Sequence, residues 1–587
     1  MNFYFKKMKY RSTRGGSTGL SFEDALFQGL SPDGGLYIPE TIPILSSSQI
    51  ASWANLPFHQ LAFQILRLFI DVNEIPDNDL LSLLERSFST FSNKDVVPLC
   101  PLTKLHSGDK NNVSISLNIL ELFHGPTFAF KDVALQVVGN MFEYFLKKRN
   151  SKSNGIFTGQ TGTSQTTQPN GFISFPYHIN VLGATSGDTG GAAIYGLKGK
   201  ENISVFILHP KDRISNIQEA QMTSVLDENI HNIAIEGTFD DCQEIVKLTF
   251  GDENFRNKHH LAAVNSINWA RILAQTTYYF SSFLTLLKKR NALESFSKTG
   301  VAPEIIYSVP SGNFGDVLAG YYAVRMGLPI SRLVIATNEN DILHRFMKSG
   351  SYRKQTGSKV KATLSPAMDI LVSSNFERLA WYLVRGDGRT SSNHADLHDE
   401  INASEVIKQW MLDLRSTGGF DASPEVLERA KEVFDSVRVT DEKTTDTIKE
   451  FYHYQYYSMS LNSSSSSSSS SQPYILDPHT AVGVAAAIEI SKSITSSEVD
   501  IVCLSTAHPG KFPDAIFHAI NDLSPPQAKE NGFRPLTYSD IAPKELVALQ
   551  GLPKRCKEIN NDHNLEKGVE EVKAFIELKS SQLNKKL

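Results

Sequence analysis

The sequence predicts an α/β protein in which parallel sheets are covered by helices. From about residue 99 onward, strand-like and helix-like segments alternate, which is typical of parallel sheets. Two turns of small residues each join a strand-like run to a helix-like run. Before residue 99, apolar residues recur at helical spacing over residues 21–30, 58–69 and 79–91. Residues 1–98 are therefore predicted to form a helix-rich leading domain.

A single lysine falls at the first predicted strand-to-helix turn. Residues 113–119 alternate between apolar and polar, which predicts a strand, and Gly125 with the following proline ends that pattern. Lys131 then stands just before a helix-like segment, where α/β sheets bind ligands. Its neighbours Phe128 and Phe130 would disfavour a positive charge, which indicates a nucleophile that forms a Schiff base with a carbonyl group. The alternative is an ordinary surface lysine.

Two glycine-rich turns follow strand-like runs farther along the chain. Residues 183–191 follow the run 179–182, and residues 310–316 follow the run 305–309. In such turns the backbone N–H groups and the start of the next helix form an anion site. The first turn is rich in hydroxyls, which suits a carboxylate, and the second suits a phosphate. The glycines could instead serve tight turning alone, and neither turn has the spacing of a nucleotide-binding motif.

Eight segments, in order along the chain, carry a family resemblance: residues 10–16, 31–37, 124–132, 183–191, 265–271, 311–316, 365–369 and 505–509. Together they resemble the threonine synthase family, in the long form similar to fungal and some bacterial enzymes, over nearly the whole chain. The resemblance implies pyridoxal 5′-phosphate as cofactor and the fold of type II pyridoxal-phosphate enzymes, similar to the tryptophan synthase β subunit. The implied reaction converts O-phospho-L-homoserine and water into L-threonine and phosphate.

The resemblance also implies roles for individual residues, beginning with the cofactor. Lys131 would be the catalytic residue and hold the cofactor covalently. Asp188, which stands where relatives commonly have an asparagine, would face the 3′-hydroxyl of the ring, and Thr506 would face the pyridine nitrogen. The turn that holds the cofactor phosphate would be Ser311, Gly312, Asn313, Phe314 and Gly315.

The resemblance also implies two sets of residues that bind the substrate. The substrate carboxylate would bind the hydroxyl-rich turn at Thr185, Ser186 and Thr189. The substrate phosphate would bind Asn265, Ser266 and Arg271, because an arginine fork with two neutral donors suits a phosphate dianion. Taken singly, Arg271 could be a helix surface charge and Thr506 an ordinary strand-end hydroxyl.

The family fold implies a division of the chain into three parts. Residues 1–98 form the leading domain, and residues 132–262 form a smaller α/β domain with the carboxylate turn. Residues 99–131 and 263–587 form the larger α/β domain, and both α/β domains are parallel-sheet, three-layer αβα units. Insertions are predicted near residues 391–447 and 458–472, where a serine run is expected to be a disordered loop tip. Residues 150–176 also have the composition of an insertion.

Composition excludes several other classes of protein. A net charge of −5 and a pI near 6.4 do not favour a nucleic-acid partner. The chain has no apolar run as long as a membrane span and no secretory signal at its start, so we expect no membrane partner. Its four cysteines lack metal-ligand spacing, which predicts no metal site and free thiols in a reducing, cytoplasmic compartment. The resemblance favours a monomer, with a dimer as the alternative.

Three alternative functions share these motifs. A serine or threonine dehydratase of the same fold is disfavoured by Asn265, Ser266 and Arg271, because its substrate has no phosphate. A phospholyase that stops at elimination and releases a keto acid remains compatible with them. A non-catalytic homologue that binds only the cofactor or a partner is disfavoured by Lys131 and the two anion turns.

Overall fold

The computed structural model describes residues 7–106, 114–155, 177–355, 357, 360–389, 397–462, 473–496, 498–521, 535–560 and 564–586. Its strands are β1 (Tyr10–Ser12), β2 (Tyr37–Pro39), β3 (Leu99–His106), β4 (Ser114–Glu121), β5 (Ile179–Ala184), β6 (Ile203–Pro210), β7 (Ile230–Ile235), β8 (Leu261–Ala262), β9 (Glu304–Pro310), β10 (Arg332–Thr337), β11 (Ser351–Arg353), β12 (Gly419–Asp421), β13 (Phe434–Arg438), β14 (Glu498–Ser505) and β15 (Lys557–Ile559).

The α-helices are α1 (Phe22–Gln28), α2 (Ser47–Ser52), α3 (Phe58–Arg67), α4 (Asp77–Phe88), α5 (Lys131–Gly155), α6 (Asp188–Leu197), α7 (Asn216–Thr223), α8 (Phe239–Gly251), α9 (Glu253–Lys258), α10 (Trp269–Lys289), α11 (Leu293–Thr299), α12 (Gly315–Arg325), α13 (Ile342–Ser349), α14 (Phe376–Arg385), α15 (Leu397–Ser416), α16 (Pro424–Lys431), α17 (Asp441–Asn462), α18 (Pro478–Ser491), α19 (Pro513–Asn521), α20 (Tyr538–Ile541), α21 (Lys544–Ala548) and α22 (Leu565–Lys586). Short 3₁₀ helices span Pro366–Met368, Pro509–Lys511 and Leu549–Gly551. Among the described helices, none is long and apolar enough to cross a membrane.

A six-stranded sheet in the order β13-β10-β9-β14-β4-β3 brings the predicted cofactor residues together. Its strands are parallel except for β3, which runs antiparallel to β4. Because β9, β14 and β4 are parallel neighbours, their carboxyl ends lie side by side at one edge. The turn at 311–315, Thr506 and the loop that leads to Lys131 follow those three ends. The predicted α/β class, with parallel sheets and a helix-rich leading segment, is confirmed.

A second, five-stranded parallel sheet has the order β15-β7-β6-β5-β8. β5 leads into the hydroxyl-rich turn, and its neighbour β8 leads toward Asn265 and Ser266. The two sets predicted to bind the substrate therefore start from the same edge of this sheet.

Residues 557–586 belong with the five-stranded sheet, although the sequence predicts them in the larger domain. β15 pairs with β7, and α22 packs against α8. Val572 and Ile576 of α22 share one apolar core with Phe206 and Ile233 of the sheet. A three-residue edge strand has no local periodicity, so only the long-range pairing reveals it. The rest of the domain division remains a prediction.

The predicted insertion at residues 391–447 is largely part of the fold. β13 extends the six-stranded sheet, with Leu333 paired to Phe434. α15 buries Ala403 and Ile407 in the main core, which its charged surface conceals in the sequence. In the second predicted insertion, residues 458–462 continue α17 and residues 463–472 lie outside the described residues. Of residues 150–176, the first six complete α5, and residues 156–176 also lie outside the described part.

The leading segment contains the three predicted helices as α1, α3 and α4, together with α2 and the β1–β2 pair, which the pattern does not predict. It packs onto the body of the protein. The side-chain amide of Asn268 donates to the carbonyl of Leu26 at 2.8 Å, and the Tyr10 and Trp269 rings lie 5.9 Å apart. Its apolar side chains therefore share the main core with α5 and α10.

α5 and α6 approach so closely that their contact requires glycine. A Cβ added at Gly139 of α5 would lie 2.0 Å from the carbonyl oxygen of Gly196 in α6. Neither backbone can yield without moving a helix, so we expect Gly139→Ala to destabilise the fold by about 1–3 kcal/mol. Chemical denaturation of both proteins measures this loss. Gly251→Ala is the control, because nothing lies within 4 Å of its added Cβ. Equal stability of the Gly139 variant and wild type would contradict the contact.

Candidate active site

Lys131 is the first residue of α5, and the loop before it is held against the segment that follows β14. The backbone N–H of Phe130 donates to the carbonyl of Thr506 at 2.8 Å, and the N–H of His508 donates to the carbonyl of Phe128 at 3.1 Å. The buried carboxylate of Asp132 accepts hydrogen bonds from the N–H and the hydroxyl of Thr127, at 2.8 and 2.7 Å. These contacts fix the position of the lysine before any ligand binds.

The ε-amine of Lys131 lies in a buried, charged cluster. Lys131 is 9% exposed, and burial lowers the pKa of its amine to about 8. The charges of Arg271 and Lys511 act in the same direction, whereas those of Asp188 and Asp316 oppose it. The neutral fraction of the amine near physiological pH is therefore far larger than that of an ordinary lysine, as a nucleophile requires.

Asp188 begins α6 and reaches the same cluster from the five-stranded sheet. Its Oδ1 accepts hydrogen bonds from Lys511 Nζ at 2.6 Å and from Gln218 Nε2 at 2.9 Å. Burial alone would raise the pKa of Asp188, but Lys511 and Lys131 hold it well below its usual range. Sequence reasoning missed Lys511 and Gln218. The only local signal for Lys511 was its place five residues after Thr506.

The turn at 311–315 starts α12 and offers its backbone to the cluster. Phe314 adopts the left-handed conformation with φ 66°, and its ring packs against those of Phe376 and Phe434. A Cβ at Gly312 would lie 2.9 Å from the Cα of Met368, so packing of the protein itself already requires glycine there. Ser311 is buried and donates to the carbonyl of Val309 at 3.1 Å.

Asp316, in the first turn of α12, is a second buried acid that sequence reasoning did not single out. Its Oδ1 accepts the N–H of Val317 at 2.8 Å, and its Oδ2 has no partner among the described residues. Burial raises the pKa of Asp316 to about 7, although the Val317 N–H and the charge of Lys131 act against the rise. The carboxyl is thus poised between its two protonation states at neutral pH.

In the hydroxyl-rich turn, one hydroxyl serves the structure and two are available to a ligand. Thr185 Oγ1 accepts the N–H groups of Gly187 and Gly190, at 2.9 and 2.8 Å, and so caps the start of α6. Ser186 and Thr189 are half-buried beside it. The helix start and these two hydroxyls are therefore the donors best placed for an anion.

Arg271, in the first turn of α10, is the buried cation of the predicted phosphate set. It is 4% exposed, and no described residue accepts a hydrogen bond from its Nη1. Burial lowers the pKa of Arg271 to about 10, so it stays charged at neutral pH. A buried guanidinium without an anionic partner among the described residues is costly, which indicates that a ligand supplies the anion.

Asn265 and Ser266 connect to the turn at 311–315 through a short polar bridge. The side-chain amide of Asn375 donates to the carbonyls of Ser266 and Asn313, both at 3.0 Å. Thr189, Asn265, Ser266 and Asn313 also line one cleft of about 1230 Å³, which extends to the leading segment at Gln28 and Ser31. The structure therefore places these four candidate residues, which follow strands of both sheets, on one cleft. The lining of that cleft does not include Lys131, Asp188, Arg271 or Thr506.

This donor set fits a phosphorylated aldehyde cofactor. Lys131 supplies a buried amine of lowered pKa, and the turn before α12 supplies backbone donors at a helix start. Thr506 is buried directly after β14, the strand between β9 and β4, and supplies a hydroxyl. The chemistry of these groups matches what such a cofactor needs: a covalent anchor, a phosphate site and a partner for the ring.

Comparison with known proteins identifies the family. The models "Threonine synthase N terminus" and "Threonine synthase, C-terminal" match residues 9–88 and 480–576. The threonine synthase of Saccharomyces cerevisiae is 47% identical over 551 residues, which cover 93% of this chain and 94% of that protein. The chain belongs to the threonine synthase family. This confirms the family predicted from the eight sequence segments.

Solved structures of threonine synthases share the fold. The crystal structure of the yeast threonine synthase matches with a TM-score of 0.79 at 46% identity, covering 98% of this chain and 99% of that one. The PLP-bound threonine synthase from Brucella melitensis matches with a TM-score of 0.74 at 35% identity, covering 98% and 99%. The predicted fold family and enzyme class are thereby confirmed. The roles of the individual site residues remain predictions.

The lowered pKa of Lys131 predicts unusual reactivity. Below about pH 8 its amine is mostly protonated and unreactive, and above about pH 8 it is mostly neutral. In protein freed of cofactor, we expect reductive methylation of Lys131 by formaldehyde to rise through a midpoint near pH 8. Peptide mass spectrometry measures the rate, with the exposed Lys298 in the same digest as the internal reference. A rate at Lys131 that parallels that at Lys298 over the whole pH range would contradict the burial effect.

Proposed function

We propose that this protein is a pyridoxal-phosphate-dependent threonine synthase that converts O-phospho-L-homoserine and water into L-threonine and phosphate. Membership of the threonine synthase family supports the reaction class. The observation that carries the substrate assignment is the buried Arg271, which lacks an anionic partner among the described residues and interacts with the Lys131 amine. Arg271 would provide the site for the substrate phosphate. The reaction requires such a site near the Lys131 amine.

Each group of the site has one task in this proposal. The cofactor, when bound, withdraws electrons from the substrate so that protons at Cα and Cβ become acidic. Lys131 anchors the cofactor and then, once its amine is released, moves those protons as a general base and acid. Its neutral form near pH 8 is the form that accepts a proton. The buried surroundings keep bulk water away from the amine.

Three anion sites position the two phosphates and the carboxylate. The start of α12 with Ser311–Gly315 holds the cofactor phosphate, and the start of α6 with Ser186 and Thr189 holds the substrate carboxylate. Arg271 with Asn265 and Ser266 holds the substrate phosphate and stabilises its charge as it departs. Thr506 faces the ring nitrogen, and a hydroxyl partner there does not force the protonated ring that a carboxylate would.

We also infer a cytoplasmic enzyme that acts as a monomer on a small substrate. All four cysteines are free, which agrees with a reducing compartment. The resemblance to the long form of the family supports a monomer.

Product identification tests the function directly. Purified protein loaded with pyridoxal phosphate and given O-phospho-L-homoserine should release L-threonine and phosphate in equal amounts, because water must add before the product leaves. Chromatography with authentic standards measures the amino acid, and a colorimetric assay measures phosphate. Release of phosphate with a keto acid and ammonia would instead assign the phospholyase reaction, and no turnover would contradict both.

Arg271→Ala tests the substrate phosphate site. The variant should still bind the cofactor but lose one charged hydrogen bond to the departing phosphate, about 1.5–3 kcal/mol, which lowers kcat/KM about 10- to 100-fold. Inorganic phosphate should inhibit it less than wild type. Arg271→Lys should recover part of the loss, because an ammonium keeps the charge without the planar fork. Steady-state kinetics measures all three effects.

The matched control is Lys289→Ala at the exposed end of the same helix, which should leave the kinetics unchanged. If Arg271→Ala leaves turnover and phosphate inhibition at wild-type values, the substrate phosphate binds elsewhere.

A further inference from the structure

Lys511 is a buried cation that has no role in the proposed function above. It ends the 3₁₀ helix Pro509–Lys511 after β14, and it is fully buried. A lysine is almost never fully buried unless it is paired, because taking an ammonium group out of water is costly. Its position inside the candidate site therefore needs an explanation beyond packing.

Two hydrogen bonds from Lys511 tie together the two sides of the site. Its Nζ donates to Asp188 Oδ1 at 2.6 Å and to the carbonyl of Thr127 at 2.8 Å. Thr127 belongs to the loop that leads to Lys131, and Asp188 begins α6 after the five-stranded sheet. One ammonium group thus joins a loop of the larger sheet to a helix start of the smaller one.

Asp188 is held by its protein contacts in one orientation. Lys511 and Gln218 both donate to Oδ1, and no donor among the described residues reaches Oδ2. Two protein donors on one oxygen therefore fix the position of the carboxylate. Its charge and that of Lys131 influence each other.

We propose that Lys511 is a positioning residue for Lys131. It ties Asp188, as a fixed, ionised carboxylate, to the loop that leads to Lys131 and, together with that carboxylate, sets how readily the Lys131 nitrogen binds a proton. The two partners act in opposite directions, since the anion favours the protonated nitrogen and the cation disfavours it. The inference rests on the proposed function in one respect, namely that Lys131 carries the cofactor.

Other charged groups face Lys511 and Asp188, and none of them is mutated in the test below. Arg271 from α10 and Asp316 from α12 act on Lys131. His479 from α18 acts on Asp188. Asp132 and His508 lie close enough to Lys511 for its charge to act on them. Because all five groups are left in place, differences in the absorbance midpoint among the variants report the effect of Lys511 and Asp188.

The test is a pH titration of the cofactor absorbance in the resting holoenzyme, which needs no substrate. Lys511→Met should raise the midpoint of the visible band by about one pH unit or more, because it removes the opposing cation. Asp188→Asn should lower the midpoint by a similar amount. The double variant should lie between the two, and Lys511→Arg should stay nearer wild type than Lys511→Met.

A matched buried ion pair away from the site separates a charge effect from a loss of stability. Arg325 and Asp387 lie 3.3 Å apart, with side chains 1% and 0% exposed. Arg325→Met should lower the thermal midpoint of unfolding without moving the absorbance midpoint. If Lys511→Met does not fold, comparing Asp188→Asn with the double variant tests the proposal instead. The absorbance midpoint of the double variant should lie at a higher pH than that of Asp188→Asn, because the double variant also lacks the opposing cation.

Two outcomes overturn different statements. Equal absorbance midpoints in wild type and the Asp188 and Lys511 variants, or shifts opposite to those given, overturn the inference about Lys511. Borohydride reduction and peptide mapping of the wild-type protein show where the cofactor is attached. A cofactor attached to a lysine other than Lys131 overturns the proposed function instead.

Discussion

Three backbone hydrogen bonds between the Lys131 loop and the end of β14 determine where the buried amine lies. The N–H groups of Leu122 and Phe130 donate to the carbonyls of Ser505 and Thr506, and the N–H of His508 donates to Phe128. They can form only because β4 and β14 are parallel neighbours in register. The anion turn before α12 then follows from β9, the next strand along, so the sheet order itself assembles the cofactor side of the site.

The second side of the site comes from the other sheet, and electrostatics holds the two together. Arg271 and Lys511 are buried cations, and Asp188 and Asp316 are buried acids, around a single amine. Burial disfavours every one of these charges, so the cluster is stable only where opposite charges or ligand anions meet. Lys511 and Asp188 pair with each other, whereas Arg271 Nη1 has no partner among the described residues. The proposed substrate phosphate would supply the anion that Arg271 lacks.

Local sequence patterns predicted the parts of the site that are local in space. The strand before Lys131 was recognised from its alternation and the strands before the two glycine-rich turns from their continuous apolar runs. The structure places both turns at strand ends and Lys131 at the start of α5. β13 and β15 escaped prediction because each is short and is defined only by a distant partner. Lys511 escaped for a similar reason. A lysine after Pro-Gly resembles a surface turn, and only the approach of Asp188 from the other sheet gives it a partner. That partner also explains how a carboxylate is accommodated where the resemblance leads us to expect an asparagine.

The return of the chain to the smaller sheet imposes an order on folding. β5, β6 and β7 are synthesised well before β15 and α22, which pair with the edge of β7 and cover Phe206, Ile233 and Cys242. During synthesis this sheet therefore carries an open edge and an uncovered apolar face while the larger sheet is still being made. Such surfaces favour association with other unfinished chains, so we expect the risk of aggregation to be highest before residues 557–586 have emerged.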